Sequence, residues 1–408
     1  MKAGIAAAKE GIMRCEMREG VRRRVQRSVQ RQGDVQKRRV QRVVWGGEEK
    51  EICACSLFGA MNMEGERFGG EGVVKAIANM RVRGNGLGGG FAIYGIYPKY
   101  KEYYAFHIMY EGGNEEAKKE TESFLNAHFD VVFAEEIPHA ECVDVNVDNP
   151  PLIWRYFVAP NKRGEMLSDD DYVVQKVMHI NTRIRDAYVF SSGKNMGVFK
   201  GVGYPEDIAE YFLLKELYRG YIWTAHGRFP TNTQGWWGGA HPFNILDWTV
   251  VHNGEISSYG TNRRYLEMYG YVCTLHTDSE VFAYAVDLLM RKQRLPIDIV
   301  AKIFAPPVWE LIDKMEGRER ELLRTLRMVY APLLMNGPFA IIVAHHGEMI
   351  GLTDRIRLRP LTAGIRGEML YLSSEEAAIR LAAKKLDKVW TPNGGEPVVA
   401  RLKAGVVA

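Results

Sequence analysis

Two cysteines one residue apart stand in E-I-C-A-C-S-L-F-G-A-M, Glu51 to Met61. A thiol at its ordinary pKa of about 8.5 is mostly protonated at neutral pH, so a cysteine nucleophile needs a base. The usual base is a histidine. The chain has 10, but no local spacing singles one out, and neither HExxH nor a cysteine–histidine zinc spacing occurs. A second base is the α-amine of the cysteine itself, with a pKa of about 7.7–8.0, provided that the cysteine is the first residue. That arrangement requires removal of whatever precedes the cysteine.

What precedes it is unlike the rest. Residues 1–50 hold 14 Lys/Arg against 6 Asp/Glu, whereas the remainder holds 40 against 44. Val21 to Val44 repeats Val-Gln-Arg units with little to bury and no apolar core of a secretory signal. The readings are a pro-segment, a disordered tail, an early start or a basic arm for nucleic acid. The acidic balance of the body argues against the last. We therefore expect residues 1–54 as a basic pro-segment or disordered extension and 55–408 as the functional domain.

The body is globular in composition, with 46% hydrophobic and 25% charged residues among 408. No apolar run approaches the roughly 18 residues of a membrane span. Cys15, Cys142 and Cys273 are scattered and form neither a CxxC pair nor a disulfide framework, which points to a reducing, cytoplasmic setting. Cys142 and Cys273 read as small buried apolar residues.

The elements that must carry the chemistry follow from periodicity. Cys55–Met61, Phe91–Tyr97 and Glu102–Tyr110 are strand-like, and Gly72–Arg83, Glu115–His128 and Asp278–Lys292 are helical. Phe339–Val343 and Glu348–Thr353 flank a His345-His346-Gly347 turn. Ser373–Val389 reads as a helix capped by Ser373 or Ser374, and Val398–Val407 as a strand. Gly84, Gly86 and Gly89 match G-x-G-x-x-G, but a helix precedes and a strand follows, the reverse of a dinucleotide fingerprint. About 112–215 is an irregular insertion.

Six ordered motifs then give the body an identity. C-S-L-F-G at Cys55, R-G-N-G-L-G-G-G at Arg83, A-H-G-R-F-P-T-N-T at Ala225, H-N-G-E at His252, T-D-S-E at Thr277 and D-R-I-R-L-R-P-L at Asp354 together resemble the class II glutamine amidotransferases. Arg357 stands where that family usually has glycine. R-F-P-T-N-T, A-H-P-F and H-N-G-E-I in this order, after a long insertion, look most like the glutaminase part of glutamate synthase. The resemblance implies an α+β fold, the four-layer αββα Ntn-hydrolase sandwich of two antiparallel sheets.

It also implies roles. Cys55, exposed by cleavage after Ala54, would attack the side-chain amide of free L-glutamine to give a thioester and ammonia. Asn253 and Gly254 would donate to the oxyanion. Arg228 would fork onto the α-carboxylate and Asp278 would take the α-ammonium. Each has a plainer reading: an ion pair for Arg228, a turn for Asn253-Gly254, a helix cap for Asp278. His226, His241 and His252 read as loop-holding residues, and Trp236 and Trp237 line either the pocket or a partner surface. With no ATP loop, flavin barrel or iron–sulfur cysteine cluster in the sequence, cofactors are expected only on a partner, an FMN and iron–sulfur glutamate synthase subunit that receives the ammonia. The alternative is a catalytically inactive amidotransferase-like subunit.

Overall fold

The computed structural model describes residues 43–45, 48–50, 54–140, 147–229, 235–275 and 277–404. Met1–Ile52 and Cys53–Ala408 form separate compact units. In the first, Val43–Trp45 and Glu48–Lys50 pair antiparallel. The Val-Gln-Arg repeats before Val43 lie outside the described residues, as do Cys15, Cys53 and Cys142.

In the second unit, seven strands make one sheet. Four come early: β1 (Ser56–Asn62), β2 (Gly89–Tyr94), β3 (Met196–Gly201) and β4 (Ile222–Gly227). Across the sheet the order is β3–β2–β4–β1, followed by Met369–Ser373, Thr362–Arg366 and Lys388–Trp390. A second sheet has the order Phe243–Ile245, β5 (Trp248–Gly254), β6 (Phe339–His345), β7 (Glu348–Thr353) and Val398–Arg401. All pairs in both sheets are antiparallel.

Strand alternation divides the side chains of the second sheet between two cores. Val251, Ile342, Ala344 and Met349 share a core with Leu57, Met61 and Trp223 of the first sheet. Val250, Ile341, Val343, Ile350 and Leu352 belong instead to a core with Val281, Phe282, Val300 and Phe304. Those four lie on helices α3 (Asp278–Val286) and α4 (Ile297–Phe304). Helix α1 (Glu71–Ala78) contacts both α2 (Pro205–Tyr211) and α5 (Glu376–Ala382), and all three contact the first sheet. This is the expected four-layer αββα sandwich. The layers meet closely because a Cβ on Gly59 would lie 2.9 Å from Met349 Sδ and 3.3 Å from Ile342.

The expected insertion carries a third sheet, ordered Phe129–Glu136, Leu152–Pro160, Tyr104–Tyr110 and Ala187–Ser191. It starts earlier than residue 112 and ends earlier than 215, because β3 and α2 already belong to the sandwich. Within it, Glu115–His128 is helical as expected, capped by Asn114, whose side chain accepts from the N–H groups of Glu116 and Ala117.

Two helix expectations change. Gly72–Arg83 becomes α1 followed by a 3-10 turn at Arg81–Arg83. The helix expected over Ser373–Val389 shortens to Glu376–Ala382, and Lys388–Trp390 is a strand. Ser373 and Ser374 do not cap it. Ser373 ends a strand of the first sheet and donates from its hydroxyl to Leu57 O (3.2 Å), while Ser374 Oγ accepts from Leu57 N–H (3.1 Å).

Candidate active site

Cys55 immediately precedes β1 and is half-buried. The strand behind it is fixed on several sides. Besides the two serine hydroxyl contacts to Leu57, Ser374 N–H donates to Leu57 O at 3.1 Å. Arg83 Nε donates to the Cys55 carbonyl at 3.1 Å, and its Nη1 pairs with Glu375 at 2.9 Å. The sulfur accepts a hydrogen bond from Phe229 N–H at 3.4 Å.

Burial pushes the Cys55 thiol up. The Phe229 N–H and the Arg228 and Arg359 guanidinium groups pull it back, and the Asp278 carboxylate adds to the rise. The balance leaves the thiol above its ordinary value, so it needs a proton acceptor to become a nucleophile at neutral pH. The charges of Arg228 and Asp278, widely separated in sequence, thus both act on this one thiol.

Arg228 follows the last residue of β4 and is 5% exposed. Its N–H donates to Gly88 O at 2.8 Å. The side chain runs between two glycines: a Cβ on Gly88 would lie 3.0 Å from Arg228 Cδ, and one on Gly239 would lie 3.2 Å from Arg228 Nη1. Burial lowers its pKa, and Cys55 and Asp278 oppose that. The glycine-rich turn after Arg83 is therefore a wall for this arginine. A strand, β2, follows it, so it is not a nucleotide loop.

Asp278 is the first residue of α3, but Thr277 is the cap, its hydroxyl accepting from Ser279 N–H at 3.3 Å. Asp278 Oδ2 accepts from Ile256 N–H at 2.9 Å, and Oδ1 accepts from the Ser279 hydroxyl at 3.2 Å. His252 Nδ1 lies 2.9 Å from Ser279 Oγ. A relay of imidazole, hydroxyl and carboxylate thus orients the acid.

Asn253 and Gly254 close β5 and stay in the ladder, opposite Ala340 and Phe339. They do not form a hairpin turn. Gly254 has φ 150°, and a Cβ there would lie 2.0 Å from Pro338 O. Asn253 is 1% exposed, and its Nδ2 has no hydrogen-bond partner among the described residues. A buried amide left this way costs roughly 1–3 kcal/mol, so it calls for an acceptor that binds there.

The histidines hold strands together. His226 Nε2 donates to His252 O at 2.8 Å, tying β4 to β5, and its ring stacks on His241 with centroids 3.9 Å apart. Burial drives all three down, His226 to about 3, so they are neutral at pH 7. Trp237 is buried and donates to Asp148 O at 2.7 Å. Trp236 covers Gly238 and Gly239, where a Cβ would lie 2.3 and 2.6 Å from its ring. Cys273 is buried, as expected. Residues 230–233, which complete the arginine motif, lie outside the described residues.

The sequence named Cys55, Arg228 and Asp278, whose charges act on one another in the structure, but not the residues that set them. Arg83, Phe229 and Arg359 lay inside the quoted motifs, so the signal was present. The role of Ser373 and Ser374 had none, since it depends on a strand more than 300 residues away in sequence.

Among the described residues no helix is long and apolar enough to cross a membrane. Residues 59–408 match the family described as glutamine amidotransferases class-II. An uncharacterized protein of Archaeoglobus fulgidus is 66% identical over 358 residues, 87% of this chain and 94% of that protein. The amidophosphoribosyltransferase of Methanocaldococcus jannaschii is 26% identical over 46% of this chain, and the glutamine–fructose-6-phosphate aminotransferase of Buchnera aphidicola is 26% identical over 47%. The chain spans only 35% and 27% of those two proteins. A solved glutamine phosphoribosylpyrophosphate amidotransferase from B. subtilis aligns with 86% of this chain and 50% of its own, with TM-score 0.40 and 14% identity. With the family match running through the αββα sandwich from β1 to the end, the chain belongs to the class II glutamine amidotransferases.

Proposed function

We propose that this chain hydrolyses the side-chain amide of free L-glutamine and passes the ammonia to a separate synthase. What supports the reading is that the N–H of Phe229, next to the buried Arg228, donates to Cys55 Sγ at 3.4 Å, and that the charges of Arg228 and Asp278 both act on the ionisation of the thiol. A free amino acid has an α-carboxylate and an α-ammonium to match; a peptide-bound glutamine has neither.

In this mechanism, cleavage after Ala54 makes Cys55 the first residue. Its α-amine takes the thiol proton, and Sγ attacks the carboxamide carbon. The oxyanion is met by the Asn253 side-chain N–H and the Gly254 N–H. The tetrahedral intermediate collapses to a thioester as the proton passes to the leaving nitrogen, and ammonia departs. Water, deprotonated by the same amine, then attacks the thioester, giving glutamate and restoring the thiol. Arg228 and Asp278 hold the substrate's two charges throughout.

The order of R-F-P-T-N-T, A-H-P-F and H-N-G-E-I after a long insertion favours a glutamate synthase as the ammonia acceptor, with FMN and iron–sulfur clusters on that partner. Intact mass with N-terminal sequencing, followed by ammonia release from glutamine, tests the proposal. A chain beginning at Cys55 that releases ammonia, with release abolished in Cys55→Ala, supports it. A chain that retains residues before Cys55 and is inert to glutamine returns the reading to an inactive subunit.

A further inference from the structure

Lys200, near the end of β3, is 1% exposed. Its Nζ donates to three backbone carbonyls of one short segment: Gly238 O at 2.9 Å, Ala240 O at 3.0 Å and Pro242 O at 3.4 Å. The rings of Phe243 and Phe190 lie 4.9 and 5.9 Å away. Among the described residues no carboxylate lies within ion-pair distance. An ammonium buried this way is costly, and three carbonyl dipoles from the same segment are what stabilise it.

That segment matters because of what leans on it. Gly239 lies against the Arg228 guanidinium, and Ala240 lies beside Gly88, the other glycine that lines this side chain. His241 stacks on His226, which holds the His252 carbonyl next to Asn253. Gly90, paired with Lys200 across β2 and β3, leaves the opening through which the segment reaches the sheet, since a Cβ there would meet His241 O at 2.3 Å. The mechanism above assigns Lys200 no part.

We propose that Lys200 is a positioning residue, its ammonium gripping the 238–242 segment so that Arg228 is held ready for the glutamine α-carboxylate. The inference rests on the proposed role of Arg228. A protonated amine can satisfy three carbonyls, whereas a neutral amine has only two N–H groups, so loss of the proton releases one contact. Burial lowers the Lys200 pKa to about 7. The charged or titratable groups that face it are Glu280 of α3, which raises it, Arg228, which lowers it, and His241 of the gripped segment, which is neutral. Grip, and with it glutamine affinity, is therefore full below pH 7 and weakens above it.

The test is glutamine binding to the Cys55→Ala chain by calorimetry at about pH 6 and about pH 8.5, so that thiol chemistry plays no part. With Lys200 present, Kd is expected to rise about 3- to 10-fold over that interval. Lys200→Met should bind about 10- to 100-fold more weakly at both pH values. Lys200→Arg, charged throughout, should stay near the parent at low pH and report any slope due to the ligand's own amine. In the catalytically competent chain, Lys200→Met should raise KM with kcat at saturating glutamine falling less than about threefold. Overturning results are a Lys200→Met Kd within about threefold of the parent, or the parent's pH slope persisting unchanged in Lys200→Arg. If Lys200→Met does not fold, the parent and Lys200→Arg slopes decide alone. If the parent binds no glutamine at either pH, the proposed function falls and this inference with it.

Discussion

Asn253 is the residue where structure and chemistry meet most directly. Its Nδ2 is buried with no partner among the described residues, a cost that an oxyanion bound there, as proposed, would recover. Asn253→Ala should therefore lower kcat about 100- to 1000-fold while KM changes little, read as ammonia release against glutamine concentration. A KM effect with unchanged kcat would move Asn253 out of the oxyanion site. Asp278 needs a subtler probe because it also accepts from Ile256 N–H. Asp278→Asn keeps an acceptor oxygen and leaves the Thr277 cap untouched, so α3 should persist. Loss of the charge alone should raise KM for glutamine about 10-fold or more. A large loss of stability with normal KM would make Asp278 purely structural.

At the scale of elements, the loop Asp354–Leu361 shows how a family departure is absorbed. Asp354 accepts from the N–H groups of Phe339, Ile356 and Leu358 at 3.3, 3.1 and 2.8 Å, so the loop is wound around one carboxylate. Arg357 sits at φ 54°, the left-handed region that explains the family's glycine, and donates to Pro392 O at 3.1 Å. Arg357→Gly removes a backbone cost of about 1–2 kcal/mol but loosens the unfolded chain and loses that contact. The net change should stay within about 1 kcal/mol by denaturant unfolding, with glutaminase activity retained. A tenfold loss of activity would give the arginine side chain a role of its own. Gly254→Ala differs, since its Cβ would overlap Pro338 O, and it should be destabilising and inactive. The elements best legible in sequence were those decided locally: the Asn114-capped helix, the apolar strands β2 and β6, and the turn at His345–Gly347. Those misread were decided at a distance. Ser373 and Ser374 looked like caps because nothing nearby reveals that Leu57 claims them. Asn253-Gly254 had a turn as one reading because a ladder partner at Ala340 is invisible to a local pattern. The candidate site was named in sequence as a set of residues, through motif order; the contacts that hold those residues were not visible there.

For the whole molecule, the buried titratable groups set a response to acid. His107 is fully buried, with Nδ1 2.9 Å from Val198 O and Nε2 2.9 Å from Tyr97 OH, which fixes a neutral imidazole. Burial lowers His107 and His226 to about 3, and His241 well below its ordinary value. Between that range and about 6.5 the unfolded chain binds protons that the folded chain refuses, so stability rises with pH there. Asp171 and Glu348, lowered by their arginine and histidine partners, act in the same sense below the ordinary carboxylate range. Glu280 opposes them: burial raises it to about 7, so between about 4.5 and 7 the folded state holds a proton that the unfolded state gives up. One carboxyl offsets one histidine over that upper window. Below about 4.5, where the unfolded chain is also protonated at that position, the offset ends. The slope should then steepen by about 1.4 kcal/mol per pH unit for each histidine no longer compensated. Urea unfolding of the full chain at about pH 7, 5.5 and 4 should show stability falling throughout and falling faster in the last interval. His107→Gln should make the curve shallower without moving the break near pH 4.5, because the break belongs to the carboxyls Glu280, Asp171 and Glu348. A stability that stays level from pH 7 to 4 would mean that these histidines are not held neutral by the fold.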